Sequence, residues 1–276
     1  MLYHDNMTEN GLGLELIFDF GGNEGQNIPY LLNRCDKLVV VEANTILCEA
    51  LKSRFEHLVD SKRLVIENVV LIANQPEEIS TSSFYIHKSN NLISSVQPKD
   101  KERDSYSEFQ ILASTPCNLV KKYLKFGYIL KYIKIDLEGY DAEILQNLFQ
   151  NNISPQYISC EAQNFGPVAA LLANNSYKGF KLVDSAKVNR LKWVKPDGIE
   201  SPFAEHSSGP FGEEIPGPWY LPESFFLYFG IHGPGWFDVH ACLYPQSRPT
   251  RVPKFLIFFT ILKKLWLKVR LRLLRK

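Results

Sequence analysis

The stretch that decides the fold runs from Ile17 to Gln26 and reads IFDFGGNEGQ. An apolar run ends at Asp19, and a turn rich in glycine then opens a helical pattern. A strand followed by such a turn brings backbone N–H groups and a helix N-terminus to the carboxyl edge of a sheet. The stretch therefore predicts a site for an adenosine-containing cofactor at that edge.

Strand and helix patterns alternate on both sides of this turn. We predict strands at 14–20, 37–42, 63–71, 83–87, 128–136 and 155–161, and helices at 26–33, 45–57, 118–126, 140–149 and 165–173. Residues 97–107 are highly charged and are expected to be a surface connection. Alternation of this kind indicates a mainly parallel sheet with right-handed crossovers, which is an open, doubly wound α/β fold.

The domain organisation follows from changes in composition along the chain. Of the 40 residues from Pro196 to Gly235, 14 are glycine or proline, which argues against regular helix or strand there. Aromatic side chains in this segment nevertheless predict an ordered lid, namely Phe203, Phe211, Trp219 and Tyr220. We therefore divide the chain into an N-terminal segment (1–14), a core (15–195), a lid with the last strands of the same domain (196–250) and a basic amphipathic segment (251–276).

Composition narrows the class of protein. With 276 residues, of which 45% are apolar and 22% charged, the chain is long enough for one large α/β domain. Its five cysteines are odd in number and contain no C-x-x-C pair, so neither a disulfide framework nor a zinc site is indicated. The first 13 residues lack the basic flank and apolar core of a signal peptide. A reduced, cytoplasmic protein is expected.

The glycines of the first turn do not match the pattern of dinucleotide-binding folds. That pattern is G-x-G-x-x-G, whereas here Gly21 and Gly25 are four residues apart and Asn23 stands where a glycine is expected. The mismatch weakens a nicotinamide-dependent oxidoreductase as an interpretation. A purely structural turn remains an alternative.

Glu42 ends the second predicted strand, 21 residues after Gly21. An acid at this place can accept hydrogen bonds from both ribose hydroxyls of a nicotinamide cofactor or of a methyl donor. Its alternative role is structural, beside a helix that Asn44 or Thr45 would cap.

The third informative stretch is KIDLEGYD, from Lys134 to Asp141. Because side chains alternate along a strand, Lys134, Asp136 and Glu138 are predicted to share one side of it. Three charges at the end of a buried strand are costly unless they are paired or functional. A structural pair of Lys134 with Asp136 and a position at a reaction centre both stay open.

Together, IFDFGGNEGQ, VVVEAN and YIKIDLEGYDAEIL resemble the FkbM family of S-adenosylmethionine-dependent methyltransferases, over residues 15 to 165. NLISSV (91–96) and HSSGPFGEEIPGPW (206–219) are similar to further segments of some members. The resemblance implies a seven-stranded class I methyltransferase sheet with helices on both faces. It also implies O-methylation of hydroxyls on sugars, polyketides or related metabolites.

The same resemblance assigns roles to individual residues. The methionine end of the cofactor would be held by the first turn, that is by Asp19, Gly21, Gly22, Asn23, Gly25 and Gln26. Glu42 would hold the ribose and Asn68 would lie near the adenine, while Asp136 and Glu138, with Lys134, would lie beside the transferred methyl. The sequence departs from many relatives by Gly22 in place of alanine, and the basic segment is not a family hallmark.

Methyl transfer to an alcohol needs a base near the acceptor oxygen. The candidates are Asp136, Glu138 and a histidine of the glycine-rich segment, chiefly His206. No close cluster of histidine, cysteine and acid demands a metal, and none is predicted, although carboxylates from separate strands could assemble a site.

Residues 251–276 carry nine lysines or arginines and no acid, so the rest of the chain has a net charge of −8 from 22 basic and 30 acidic residues. On a helical wheel, Phe255, Leu256, Phe259, Leu262, Trp266 and Leu273 share a broad face, opposite Lys254, Lys264, Lys268, Arg272, Arg275 and Lys276. Lys263 and Arg270 interrupt the apolar side. Such a helix could bind an anionic membrane surface or pack on protein, and nucleic-acid binding is not expected.

The sequence thus predicts an S-adenosylmethionine-dependent O-methyltransferase that acts on a small molecule, sugar, glycan or glycolipid precursor. We expect it in the cytoplasm, peripherally at the inner membrane face if the basic segment binds lipid. Two alternatives remain, an NAD(P)-dependent oxidoreductase and a membrane-docked binding module without catalysis.

Overall fold

The computed structural model describes residues 13–74, 80–89, 94, 96 and 104–273. It contains twelve strands, β1 (Glu15–Phe20), β2 (Lys37–Val41), β3 (Leu64–Glu67), β4 (Val70–Leu71), β5 (Ser80–His87), β6 (Tyr106–Ser114), β7 (Ile129–Ile135), β8 (Tyr157–Glu161), β9 (Gly179–Asp184), β10 (Lys192–Val194), β11 (Glu200–Pro202) and β12 (Phe237–Cys242). The α-helices are α1 (Ile28–Leu31), α2 (Thr45–Arg54), α3 (Glu56–Asp60), α4 (Pro116–Leu124), α5 (Asp141–Gln150), α6 (Phe165–Ala173), α7 (Pro222–His232) and α8 (Lys254–Leu273).

Seven strands form the central sheet in the order β3-β2-β1-β7-β8-β12-β9. β12 is antiparallel to both of its neighbours, and the other strands run parallel to one another. The chain leaves β1 toward β2 and β3 on one side, then returns to add β7 and β8 on the other. The predicted open, mainly parallel, seven-stranded sheet is confirmed, and its switch point lies between β1 and β7, where ligands bind in such folds.

The alternation of side chains explains how both faces of the sheet are buried. Phe18 and Phe20 of β1 point to the face covered by α4, α5, α6 and α7. Ile17 points to the opposite face, which α1 and α2 cover together with the glycine- and proline-rich segment. Asp19 lies on that same second face and is fully buried, so a charge is placed inside the core at the end of β1.

The glycine- and proline-rich segment packs on the sheet as a fixed layer. Trp219 is fully buried, and the ring of Phe211 stacks on Tyr132 of β7 with centroids 4.2 Å apart. Aromatic side chains of the expected lid, such as Phe203, Phe211 and Trp219, are therefore part of the core, because they supply the apolar area that this face needs.

Three sequence interpretations need correction. The predicted strand 63–71 is divided between β3 and β4, and β4 belongs to a separate three-stranded sheet with β5 and β6. β6 begins at Tyr106, within the predicted surface connection 97–107, of which 97–103 lie outside the described residues. α7 is a regular helix inside the glycine- and proline-rich segment, because Pro222 occupies its first turn, where no N–H is needed.

Candidate active site at the carboxyl edge of the sheet

The glycines of the first turn stand where a side chain would clash with neighbouring atoms of the chain. A Cβ atom on Gly21 would lie 2.0 Å from the carbonyl oxygen of Asp136, and one on Gly22 would lie 2.1 Å from Cγ1 of Val40. A Cβ on Gly25 would lie 2.5 Å from Leu51, and both Gly21 and Gly25 have positive φ angles. The structural explanation therefore accounts for all three glycines, and their number alone is not evidence for a ligand.

Glu42 is held rigidly at the end of β2. Its Oε2 accepts a hydrogen bond from the N–H of Asn23 at 2.8 Å, and its Oε1 accepts one from the N–H of Asn44 at 2.8 Å. Burial raises the pKa of Glu42, while these two N–H groups oppose that effect. Each carboxylate oxygen has two lone pairs, so both oxygens can still accept a further hydrogen bond.

Lys134 is the centre of a buried polar group between β1 and β7. Its Nζ lies 3.2 Å from Oδ1 of Asp19 and 3.3 Å from Oδ2 of Asp136, and it donates to the carbonyl oxygen of Gly21 at 3.1 Å. Burial alone would lower the pKa of Lys134, but Asp19, Asp136 and the nearby Asp238 together raise it above its usual range. The predicted ion pair of Lys134 with Asp136 is present, and Lys134 forms a second ion pair with Asp19.

A first cavity, with an empty volume of about 830 Å³ including its open mouth, lies beside this group. One wall is apolar and comes from the second sheet and its approaches, with Val69, Val70, Leu71, Phe84 and Val96. The other wall is polar and is formed by the first turn, the end of β2 and the segment after β7, with Gly21, Asn23, Gln26, Asn27, Glu42, Lys134, Asp136, Glu138 and His206. A ligand with one flat apolar part and one polar, charged part fits such a division.

A second, more polar cavity adjoins the first one. It is lined by Asp136, Glu138, Glu161, Gln163, Ser185, His206, Ser207, Ser208, Trp236 and Asp238. The two cavities share three residues, Asp136, Glu138 and His206. Three of the four predicted catalytic residues thus lie at the junction, while Lys134 lines the first cavity alone.

The second cavity concentrates negative charge. Burial and the neighbouring carboxylates raise the pKa of Glu138 to about 7, that of Asp238 to about 8 and that of Glu161 to about 9. Carboxylate oxygens of Asp136, Glu138 and Glu161 all lie within 4.8 Å of one another. Such a cluster can share protons or offer ligand atoms to a divalent cation, an arrangement that the sequence left open.

Asn27 lines the first cavity and is hydrogen-bonded to the loop that carries His206. Its Oδ1 accepts hydrogen bonds from the hydroxyl of Ser207 at 2.9 Å and from the N–H of Ser208 at 3.0 Å. His206 itself has a φ angle of 60°, in the left-handed region, and its ring lies 6.0 Å from that of Trp236. The loop is therefore fixed at the junction by buried hydrogen bonds.

Not every predicted site residue reaches a cavity. Asp19, Gly22, Gly25 and Asn68 are not among the residues that line either one. Asn68 instead donates from Nδ2 to the carbonyl oxygens of Glu42 at 3.0 Å and Ala43 at 3.1 Å, so it supports the turn after β2. Glu138 lies beyond the end of β7 with a φ angle of 53°, and strand alternation does not place it.

Several residues at the site were not singled out in the sequence. Asp238 enters from the antiparallel strand β12, and Asn27 carries no recognisable motif. Ser207 and Ser208 lie in the segment 206–219, but the sequence predicts no role for them. Glu161 is the last residue of the predicted strand 155–161, and the sequence predicts no role for it at the site. Of the segment 91–96, the structure describes Ser94 and Val96, which line the first cavity, and the remainder lies outside the described residues.

No protein-family model matches the chain, and no curated protein matches its sequence. Solved structures do resemble it. An FkbM methyltransferase from Methylobacillus flagellatus superimposes with a TM-score of 0.39 and 12% identity, over 61% of this chain and 39% of that one. An O-methyltransferase from Bacillus cereus in complex with SAH gives a TM-score of 0.36 and 9% identity, over 83% and 74% of the two chains.

A spermidine synthase in complex with the transition-state analogue AdoDATO gives a TM-score of 0.36 and 10% identity, over 94% of this chain and 65% of that one. The chain thus spans well under half the length of the FkbM methyltransferase chain and about three quarters of the Bacillus cereus one. These similarities are too distant to assign the chain to a family.

Proposed function

We propose that this chain is an S-adenosylmethionine-dependent O-methyltransferase that methylates a hydroxyl of a sugar, a glycan or a related small molecule. The observation that carries the proposal is the junction of two cavities at Asp136, Glu138 and His206. A group-transfer enzyme needs two binding spaces that meet where the transferred group passes between them. The motif resemblance to the FkbM family supports the choice of cofactor.

The first cavity fits the cofactor in chemistry. The apolar wall around Val70 and Phe84 suits an adenine ring, and the spare lone pairs of Glu42 suit the two ribose hydroxyls. At the polar end, Gln26 and Asn27 can hold the amino and carboxylate groups of the methionine part, beside the Lys134 group. S-adenosylmethionine supplies an electrophilic methyl group when bound.

The chain must then align an acceptor hydroxyl with that methyl and remove the hydroxyl proton late in the transfer. The carboxylate of Asp136 lies at the junction and has the Lys134 ammonium group 3.3 Å away to balance its charge. In our account, Asp136 accepts the proton. Glu138, whose pKa is raised to about 7 by burial and by Asp136, can then pass it to solvent.

The second cavity supports a hydroxyl-rich acceptor. Its polar wall offers Gln163, Ser185, Ser207 and Ser208 as hydrogen-bond partners, and the half-exposed indole of Trp236 offers an aromatic surface. Polar groups that can both donate and accept suit sugar hydroxyls.

Calorimetric titration with S-adenosylhomocysteine and with NADH tests the proposal. We expect the first ligand to bind and the second not to bind. Glu42→Gln should weaken binding about tenfold or more, because hydrogen bonds to a charged carboxylate contribute about 1.5–3 kcal/mol. The matched control is Glu49→Gln, an exposed acid on α2, which should bind like the parent chain.

Binding of NADH in place of S-adenosylhomocysteine would support the oxidoreductase alternative. Binding of neither ligand would support a module without catalysis. Either result would overturn the proposed function.

A further inference from the structure

Helix α8 presents an apolar surface that stays exposed among the residues the structure describes. It packs on α7, and among its residues up to Trp266, where the described side chains end, Leu256, Ile257 and Thr260 are partly buried. Six of its large apolar side chains are 43% to 64% exposed, namely Phe255, Phe258, Phe259, Leu262, Leu265 and Trp266, and Ile261 is 40% exposed. At 100° per residue these six side chains occupy an arc of about 120° on the helix. We call this arc the aromatic face.

The structure corrects the helical wheel in two respects. Leu256 is partly buried and does not belong to the aromatic face, whereas Phe258 and Leu265 do. Lys254 and Lys263 are both exposed, and their wheel positions border the aromatic face on its two sides. An apolar arc flanked by lysines is the pattern of a helix that lies in a membrane interface, since the lysine stems can extend toward the headgroups.

α8 is held in a defined position. The N–H of Val252 donates to the hydroxyl of Ser224 at the start of α7 at 3.0 Å. At the other end, the Lys264 ammonium group lies near Gly233, which follows α7. The two helices therefore run side by side in the same direction. In this position the side chains of the aromatic face keep 43% to 64% of their area exposed.

Charge decides which occupant fits the aromatic face. The segment 251–276 has nine basic residues and no acid. Two copies of the chain packed through this face would bring two such segments together without any acid between them, which is unfavourable. An anionic lipid surface is complementary to both the aromatic face and the basic residues.

We propose that α8 docks this protein on anionic lipid bilayers through the aromatic face. No helix among the described residues is long and apolar enough to cross a membrane. The helix lies in the plane of the interface, with Phe259 and Trp266 in the apolar boundary and Lys254 and Lys263 at the headgroups. This inference does not depend on the proposed catalytic activity.

Flotation of the full chain with lipid vesicles tests the proposal. The chain should float with vesicles that contain phosphatidylglycerol and not with pure phosphatidylcholine, and added salt should release it. Lys254→Gln with Lys263→Gln should weaken partitioning about 25-fold, since each lysine near an anionic surface contributes about fivefold. Phe259→Ser with Trp266→Ser should abolish flotation.

The matched control is Val194→Ser with Ile199→Ser, which removes two exposed apolar side chains from the β10–β11 hairpin and should leave flotation unchanged. Circular dichroism of each variant checks that the fold is kept. Absence of flotation with anionic vesicles would overturn the proposal. A parent dimer that Phe259→Ser converts to a monomer, without lipid binding by either, would instead assign the face to a second copy.

Discussion

The ammonium nitrogen of Lys134 lies 3.2 Å from Oδ1 of Asp19, and neither side chain is more than 4% exposed. The pair joins the end of β1 to the end of β7 at the switch point of the sheet. Asp19 reaches neither cavity, so its contribution to the site passes through Lys134, which lines the first one. Asp19, near the end of β1, therefore lies against Lys134 and not at a cavity wall.

Removal of Lys134 should destabilise the fold strongly. Lys134→Met leaves Asp19 buried without a counter-charge, and breaking a buried pair in this way costs about 3–5 kcal/mol of unfolding free energy. Urea denaturation measures this loss. Lys187→Met, which breaks an exposed pair with Asp184, should change the free energy by less than about 1 kcal/mol.

The double variant Asp19→Leu with Lys134→Met should be more stable than Lys134→Met alone, because it also removes the Asp19 carboxylate that Lys134→Met leaves buried without its partner. If Lys134→Met and Lys187→Met lower the free energy of unfolding by the same amount, the buried pair is not important for stability.

Gly21 should not tolerate a side chain. Its φ angle is +84°, and an added Cβ would lie 2.0 Å from the Asp136 carbonyl oxygen. Gly21→Ala should cost about 3 kcal/mol or more, measured by urea denaturation, because both backbone strain and a backbone clash act. Gly139→Ala is the control, since Gly139 also has a positive φ angle but nothing within 4 Å of the added atom. Gly139→Ala should lower the free energy of unfolding only by the backbone strain, which is about 1–2 kcal/mol.

The free energy of unfolding should fall as the pH rises across the range in which Glu161, in the wall of the second cavity, loses its proton. The pKa of Glu161 is raised to about 9 by burial and by the neighbouring carboxylates, against 4.5 when unperturbed. The folded state therefore binds this proton more tightly than the unfolded state does. The stabilisation is complete below about pH 4.5 and is lost as the pH rises toward about 9.

Urea midpoints at several pH values, in buffer with EDTA so that no divalent cation balances the charge, check this expectation. Glu161→Gln should flatten the pH dependence and should be more stable than the parent chain at pH 8 by on the order of 1–2 kcal/mol. A parent chain that becomes more stable between pH 5 and 9 would contradict the account.

Asp136 should be needed for turnover and dispensable for cofactor binding. Asp136→Asn keeps the size of the side chain and removes the base, so turnover should fall about 100-fold or more. Release of S-adenosylhomocysteine in the presence of an acceptor measures turnover, and calorimetry should show nearly unchanged cofactor affinity. Near-normal turnover would remove Asp136 from the role of base.

The sequence predicted the features that depend on local pattern. Alternation of strand and helix led to the parallel part of the sheet, and the strand ends at Glu42 and Asp136 were located within a residue. Asn44 caps α2 as expected, because its Oδ1 accepts from the N–H of Ile46 at 3.0 Å. These features are set by residues close together in the chain.

The sequence did not predict what depends on contacts between distant segments. The charge of Asp238 enters the site only because β12 inserts between β8 and β9. The need for Gly22 arises from Val40 on the next strand, and Asn27 acts on a loop about 180 residues away. No periodicity or short motif reports such pairings, since they follow from the topology of the sheet.

The most direct test of the account is a crystal structure of the chain with bound S-adenosylhomocysteine. We predict that the ribose hydroxyls contact Glu42, that the adenine lies against Val70 and Phe84, and that the sulfur atom points to the junction of Asp136, Glu138 and His206. Density for the ligand outside the first cavity, or with its sulfur turned away from that junction, would contradict the proposed methyltransferase.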